Sequence, residues 1–116
     1  MTFFQSLTDS ARRTNSLLCI GLDPRGDSAS EARDTCFRLI DATAPYAAAF
    51  KPNAAFFERL GPDGWRALKD VIAHAPDGIP VILDAKRGDI ADTAEAYARS
   101  AFDELGAHAI TANPYL

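Results

Sequence analysis

Four short apolar runs alternate along the chain with longer segments in which apolar residues recur every three or four positions. The runs cover residues 17–22, 47–50, 80–83 and 108–112. Apolar runs of this length are typical of β-strands. The recurrence of apolar residues every three or four positions in the segments between them is typical of amphipathic α-helices. Strands that alternate with helices favour a parallel sheet with right-handed crossover connections.

The helical segments carry start and stop signals. Residues 1–16 form an amphipathic pattern, and Ser28 with Glu31 three positions later forms a capping box that opens the next helix. Asp92 is placed to cap the last helix, and Gly106 is placed to end it. We therefore expect one helix before the first strand and helical connections between all the strands.

The strand ends are marked by polar residues, Asp23, Lys51, Asp84 and Asn113, which recur roughly every 30 residues. A (β/α)₈ barrel of about 250 residues has the same spacing per unit. We therefore expect an α/β protein of the TIM-barrel class, with residues 1–116 as the N-terminal half of one barrel domain, covering roughly four strands. A doubly wound open sheet is the alternative, but no glycine-rich phosphate loop follows the first strand.

Three of these polar residues, Asp23, Lys51 and Asn113, are followed directly by proline. Proline has no backbone N–H and ends a strand ladder, so each polar residue lies where strand gives way to loop. The carboxyl ends of parallel strands lie at one side of the molecule, where active sites form. We expect these three side chains to converge there with Asp84 and Lys86.

The segment that follows the third run concentrates charge. Residues two apart on a strand share a face, so Asp84 and Lys86 are predicted to point the same way and Ala85 toward the helices. Gly88 allows Asp89 to turn away from that face. A solvent-exposed ion pair is the simpler explanation, but charges that directly follow a buried strand are costly unless they serve a purpose.

Composition restricts the possible partners. The net charge of -4 and the lack of any Lys/Arg run argue against nucleic-acid binding. No apolar stretch reaches the roughly 18 residues that a membrane span needs. Cys19 and Cys36 have no metal-ligand spacing, and we expect two reduced, buried thiols in a cytoplasmic protein. His74 and His108 have no acidic or cysteine companion at ligand spacing and are expected in the core or at the surface.

The residues Asp84, Lys86 and Asp89 match the Asp-x-Lys-x-x-Asp motif of the orotidine 5'-phosphate decarboxylase family. Sugar-phosphate decarboxylases of the same suprafamily share this short motif. Four longer blocks, in this order, resemble the type 2 bacterial subfamily of the orotidine 5'-phosphate decarboxylases: LCIGLDPR at 18–25, FKPNAAFFERLG at 50–61, LDAKRGDIADTAEAYARSAF at 83–102 and ITANPYL at 110–116.

The resemblance implies a (β/α)₈ barrel that converts orotidine monophosphate to uridine monophosphate and CO₂ in pyrimidine biosynthesis, with no metal or organic cofactor. It implies that Lys86 protonates C6 of the pyrimidine and stabilises the negative charge that develops there. It also implies that Asp84 lies beside the substrate carboxylate and helps to hold Lys86.

The resemblance further implies a homodimer with shared active sites. Asp89 and Thr93 would reach the site of the neighbouring subunit, and Ile90 would line the pyrimidine pocket. Asp23 and Lys51 match positions that contact the ribose hydroxyls.

Three alternatives stay open. One is a magnesium-dependent sugar-phosphate decarboxylase or aldolase, which Lys51 disfavours because those relatives place an acidic residue around that position. Another is a Schiff-base lysine at Lys86, although flanking carboxylates tend to keep it protonated. The third is a non-catalytic truncated half barrel. Members of the family run well beyond 200 residues and grip the substrate phosphate with later loops, so we expect residues 1–116 alone to be inactive.

Overall fold

Strands and helices alternate along the whole chain in a computed structural model that describes residues 1–116. The strands are β1 Leu18–Leu22, β2 Ala47–Pro52, β3 Ile82–Arg87 and β4 Ala109–Ala112. The helices are α1 Phe3–Thr14, α2 Ala29–Thr43, α3 Ala55–Glu58, α4 Gly61–His74 and α5 Ala91–Arg99, with a 3₁₀ turn at Ala44–Tyr46 and a π-helical turn at Ser100–Glu104. The predicted alternation is confirmed.

All four strands run parallel in the order β1-β2-β3-β4. β1 pairs with β2 and β3 pairs with β4, each over several residues. Single bridges between Phe50 and Val81 and between Asn53 and Asp84 join the two pairs. The backbone N–H of Ala54 donates to the carbonyl of Asp84 at 3.0 Å across that junction. The result is a row of four parallel strands with free edges at β1 and β4, and the barrel is not closed within this chain.

The hydrophobic core lies where β2 and β3 pack against α2, α3 and α4. Its fully buried side chains include Phe50 on β2, Phe57 on α3, and Leu68 and Val71 on α4. Ile40 closes the core from α2. Because the helices of a parallel sheet cover its face, the strand ends are left free to carry polar groups.

The start of α2 follows a local capping rule, and the predicted cap of α5 is wrong. The Ser28 hydroxyl accepts from the N–H of Glu31 at 3.2 Å, as predicted, but the Glu31 carboxylate accepts from Asp27 rather than closing the box on Ser28. Helix α5 begins at Ala91, directly after Ile90, and has no side-chain cap. Asp92 therefore lies inside the first turn of α5, where its negative charge interacts favourably with the positive end of the helix dipole.

His74 has an acidic partner that the spacing along the chain did not indicate. Its Nε2 lies 2.8 Å from Oδ1 of Asp41, and its ring stacks on Phe37 with 3.9 Å between centroids. Both partners come from α2, which packs against α4. His108 instead accepts a hydrogen bond at Nδ1 from the N–H of Val81 at 3.0 Å.

The two cysteines differ in exposure. Cys36 is fully buried on α2, as predicted, but Cys19 is exposed. The prediction for Cys19 is wrong because β1 is an edge strand with a pairing partner on one side only.

None of the helices combines the length and apolar character needed to cross a membrane.

Candidate active site

The Asp84 carboxylate is the centre of a polar cluster at the carboxyl ends of the strands. Its Oδ2 accepts from Nζ of Lys51 at 3.0 Å, and its Oδ1 accepts from Nζ of Lys86 at 2.7 Å. The hydroxyl of Thr111 donates to the same Oδ1 at 2.9 Å. Only 10% of the Asp84 side chain is exposed. A carboxylate this well enclosed is stable because three donors satisfy it.

The charges of this cluster stabilise one another. The pKa of Asp84 falls from 3.8 to about 2, chiefly because Lys86 donates a hydrogen bond to the carboxylate, and Lys51 and Thr111 lower it further against the cost of desolvation. The pKa of Lys51 is raised, chiefly by its hydrogen bond to Asp84. Asp84 is therefore ionised and Lys51 protonated at neutral pH.

Three neighbouring strands supply the cluster. Lys51 lies near the end of β2, Asp84 and Lys86 lie on β3, and Thr111 lies on β4. The charged residues are part of β3 itself, which starts at Ile82 and extends to Arg87, so the predicted strand of residues 80–83 was placed too early. Parallel strands bring their carboxyl ends to one edge, which is why residues far apart in the chain meet here.

The pairing of β3 with β4 contains a bulge at the cluster. Leu83 pairs with Ile110 and Arg87 pairs with Ala112, so residues 84–86 lie opposite the single residue Thr111. Lys86 adopts a positive φ of 48°, which is uncommon for a residue other than glycine. Bulges of this kind redirect side chains and occur often beside active sites.

The structure brings together some of the predicted residues. Lys51, Asp84 and Lys86 converge as predicted. Asp23 is exposed at the end of β1, where its charge helps to raise the pKa of Lys51 without a hydrogen bond to it. Asn113 has no side-chain hydrogen bond to the cluster, and its side-chain oxygen accepts from the N–H of Tyr115 at 3.0 Å in the turn after β4.

The residues after Gly88 point elsewhere. The Asp89 carboxylate accepts from the N–H of Ile90 at 2.7 Å and has no hydrogen bond to the Asp84 cluster. The Ile90 side chain is 66% exposed, and Thr93 in the first turn of α5 is also exposed. Asp89, Ile90 and Thr93 therefore form a separate exposed group beside the cluster, and their roles stay predictions.

Arginine side chains tie the strand-end loops to one another. Arg87, next to Lys86, forms an ion pair with Glu58 of α3, and its guanidinium lies 5.2 Å from the ring centre of Tyr97 on α5. Arg59, directly after α3, donates to the carbonyl of Gly26 at 2.6 Å. These contacts join the loops after β1, β2 and β3 into one surface around the cluster.

Thr111 is the functional candidate that sequence reasoning missed. Threonine is common in strands for its β-branched shape, so nothing in the segment Ala109–Ala112 distinguishes its hydroxyl from a packing group. The only available signal was its position on β4, two residues before Asn113. No three His, Cys, Asp or Glu side chains come together as ligands for a metal ion.

Four parallel strands covered by helices, with a charged cluster at their carboxyl ends, define an α/β chain of the class that forms part of a (β/α)₈ barrel. The sequence profile described as "Orotidine 5'-phosphate decarboxylase / HUMPS family" matches residues 16–116. The chain belongs to this family, which confirms the resemblance found in the sequence.

Individual relatives agree with this assignment. The chain is 51% identical to orotidine 5'-phosphate decarboxylase of Roseiflexus sp. (strain RS-1), over 100% of this chain and 45% of that protein. The structure of Leishmania donovani OMP decarboxylase superposes with a TM-score of 0.93 and 61% identity over 99% of this chain and 45% of that one. An orotidine-monophosphate decarboxylase structure from Toxoplasma gondii superposes with a TM-score of 0.92 at 45% identity, over 96% of this chain and 40% of that one. The chain thus spans about 45% of the length of the curated relatives it matches.

Proposed function

We propose that residues 1–116 form the N-terminal half of a (β/α)₈ barrel that decarboxylates orotidine 5'-phosphate to uridine 5'-phosphate and CO₂. The observation that carries the proposal is the Asp84 carboxylate, held between the amino groups of Lys51 and Lys86 at the strand ends. The family match over residues 16–116 supports the choice of substrate.

The chemistry requires a group that can stabilise and then protonate a carbanion. When the bond between C6 and the carboxylate breaks, its electron pair stays on C6 of the pyrimidine, where no cofactor accepts it. Lys86 donates the proton that forms the new C6–H bond and is reprotonated from solvent afterwards. Its side chain is 70% exposed, which leaves it accessible to a substrate.

Asp84 has two functions in this scheme. It holds Nζ of Lys86 at 2.7 Å, which directs the proton donor, and it stays ionised because its pKa is about 2. A substrate carboxylate bound beside it would experience repulsion that is relieved as neutral CO₂ leaves. The fixed charges of Asp84, Lys51 and Lys86 need little reorganisation during the reaction, which is the main source of electrostatic catalysis.

The remaining residues bind substrate. Asp23 and Lys51 contact the ribose hydroxyls, and Ile90 lines the pyrimidine pocket. Asp89 and Thr93 serve the active site of a second subunit in a homodimer. The exposure of Ile90 and Thr93, and the lack of any bond from Asp89 to the Asp84 cluster, support this division.

A graft tests the proposal. Residues 1–116 replace the corresponding 45% of Leishmania donovani OMP decarboxylase, to which they are 61% identical. We expect the graft to release labelled CO₂ from carboxyl-labelled orotidine 5'-phosphate, and to do so undiminished in excess chelator. Chelator sensitivity would favour the magnesium-dependent sugar-phosphate chemistry instead. A folded graft that binds uridine 5'-phosphate but releases no CO₂ would contradict the proposal.

Substitution of the proton donor tests its role. Lys86→Ala in the graft should lower turnover at least about a hundredfold, because general acid catalysis contributes that much or more, while binding of uridine 5'-phosphate is retained. The control is Lys69→Ala on α4, whose amino group has only a loose exposed contact with Glu104 at 3.8 Å. Near-normal turnover of the Lys86 variant would show that the proton comes from another group.

A further inference from the structure

The bulge in β3 is held by one hydroxyl group. The Thr111 Oγ1 accepts from the N–H of Ala85 at 3.1 Å and from the N–H of Lys86 at 3.0 Å. In a regular ladder the N–H groups of β3 would donate to carbonyls of β4, but the bulge removes that possibility for residues 84–86. The side chain of β4 thus supplies the acceptor that its backbone cannot.

The same hydroxyl group is fixed in direction. A threonine hydroxyl has one donor hydrogen and two acceptor lone pairs. Both backbone N–H groups must donate, so they occupy the lone pairs and leave the hydrogen to point at Oδ1 of Asp84, 2.9 Å away. All three hydrogen bonds that the Thr111 hydroxyl can form are therefore used. They join the backbone of Lys86 to the Asp84 carboxylate, which the Lys86 side chain also contacts.

The backbone of Lys86 needs such support. A positive φ of 48° is a conformation that residues with a side chain rarely adopt and that persists only where surrounding contacts hold it. Lys86 lies at a strand end, and its long side chain is mostly exposed, so packing does not fix it. The hydrogen bond from its N–H to Thr111 is the contact that restrains this turn of the chain.

We propose that Thr111 is a positioning residue of this site: its hydroxyl stabilises the β3 bulge and so fixes Lys86 relative to Asp84. The inference rests on the proposed function for its effect on turnover. The proposal adds Thr111 on β4 to the charged cluster of Lys51 on β2 and Asp84 and Lys86 on β3. Thr111 acts through Lys86 and Asp84 and does not contact the substrate.

Two substitutions in the graft separate the hydroxyl from the shape of the side chain. Thr111→Val keeps the shape and removes the hydroxyl, and we expect kcat to fall about tenfold or more, since bonds to charged groups are among the stronger ones. Thr111→Ser restores the hydroxyl, and kcat should return to within about threefold. Binding of uridine 5'-phosphate should change little in either variant. The control is Thr14→Val in α1, which removes a hydroxyl that donates to the carbonyl of Ser10. Equal kcat for the valine and serine variants would overturn the proposal.

Measurements on the 116-residue chain need no activity. We expect the carboxyl carbon resonance of Asp84 to titrate at higher pH in Thr111→Val than in the unchanged chain or Thr111→Ser, since a bond to the ionised form is lost. Amide exchange at Ala85 and Lys86 should speed up in the valine variant alone. A graft without decarboxylase activity would therefore refute the proposed function and leave these readouts to decide the role of Thr111.

The unchanged chain gives a final check if the valine variant does not fold. Amide exchange at Ala85 and Lys86 should be clearly slower than at Asp89, whose N–H has no partner in the loop after β3. Exchange at all three amides with the same rate would overturn the proposal without any substitution.

Discussion

Asp84 should make the stability of the chain depend on acid in a defined pH window. Its folded-state pKa of about 2 lies below its ordinary value of 3.8. A depressed carboxyl pKa contributes stability that is fully present above the ordinary pKa and is lost as the pH falls through the folded value. The difference corresponds to about 2.5 kcal/mol of unfolding free energy, present at neutral pH and lost between about pH 4 and pH 2.

The test is Asp84→Asn. An amide cannot carry the charge that Lys51 and Lys86 stabilise, so unfolding free energy at pH 7 should fall by about 2 to 3 kcal/mol. This loss is at the lower end of what breaking a buried ion pair costs in unfolding free energy. The reason is that the Lys51 and Lys86 side chains are 36% and 70% exposed, so water still solvates their charges after the carboxylate is removed. The variant should also lose much less stability than the unchanged chain between pH 4 and pH 2.

Urea unfolding at a series of pH values measures both effects. Trp65 is the only tryptophan and packs against the core, so its fluorescence reports on the fold. The control is Asp63→Asn, since Asp63 pairs with Arg66 at the surface with both side chains at least 75% exposed and should contribute less than about 1 kcal/mol. If Asp84→Asn unfolds with the same pH dependence as the unchanged chain, the carboxylate does not have the environment described.

Two further predictions concern the chain away from the cluster. A maleimide should label Cys19 in the folded chain and reach Cys36 only on unfolding, because Cys36 is buried and burial raises the pKa of its thiol to about 11. Mass spectrometry that finds both thiols labelled at the same rate would contradict this. Ser28→Ala should lower the unfolding free energy by about 1 kcal/mol, because the Ser28 hydroxyl accepts from the N–H of Glu31 at the start of α2. The control variant Ser30→Ala, in the first turn of the same helix, should change the unfolding free energy little. Equal losses for the two variants in urea unfolding would show that the cap is unimportant.

The alternation of strands and helices and the convergence of Lys51, Asp84 and Lys86 could be predicted from the sequence. Both follow from rules that are local or general: apolar period, polar residues at strand ends, and the common direction of parallel strands. Asn113 met the same criteria but has no side-chain hydrogen bond to the cluster. Its side chain accepts from a backbone N–H two residues on, and this turn chemistry competes with any site for asparagine.

Thr111 and the β3 bulge could not be predicted, because each depends on the register between strands that lie about 27 residues apart in sequence. Nothing in residues 82–87 shows that three of them will face one residue of β4. The exposure of Cys19 has a similar origin, since only the pairing pattern shows that β1 is an edge strand.

The closeness of Asp84 and Lys86 shows how a correct prediction can have an incomplete reason. Period-two alternation places both residues on one face of a regular strand, yet β3 is not regular there, and Lys86 has a positive φ. The 2.7 Å contact between their side chains therefore depends on how the bulge is held as well as on alternation. Since Thr111 holds the bulge from the next strand, the motif on β3 contains the reactive groups but not all of the structure that positions them.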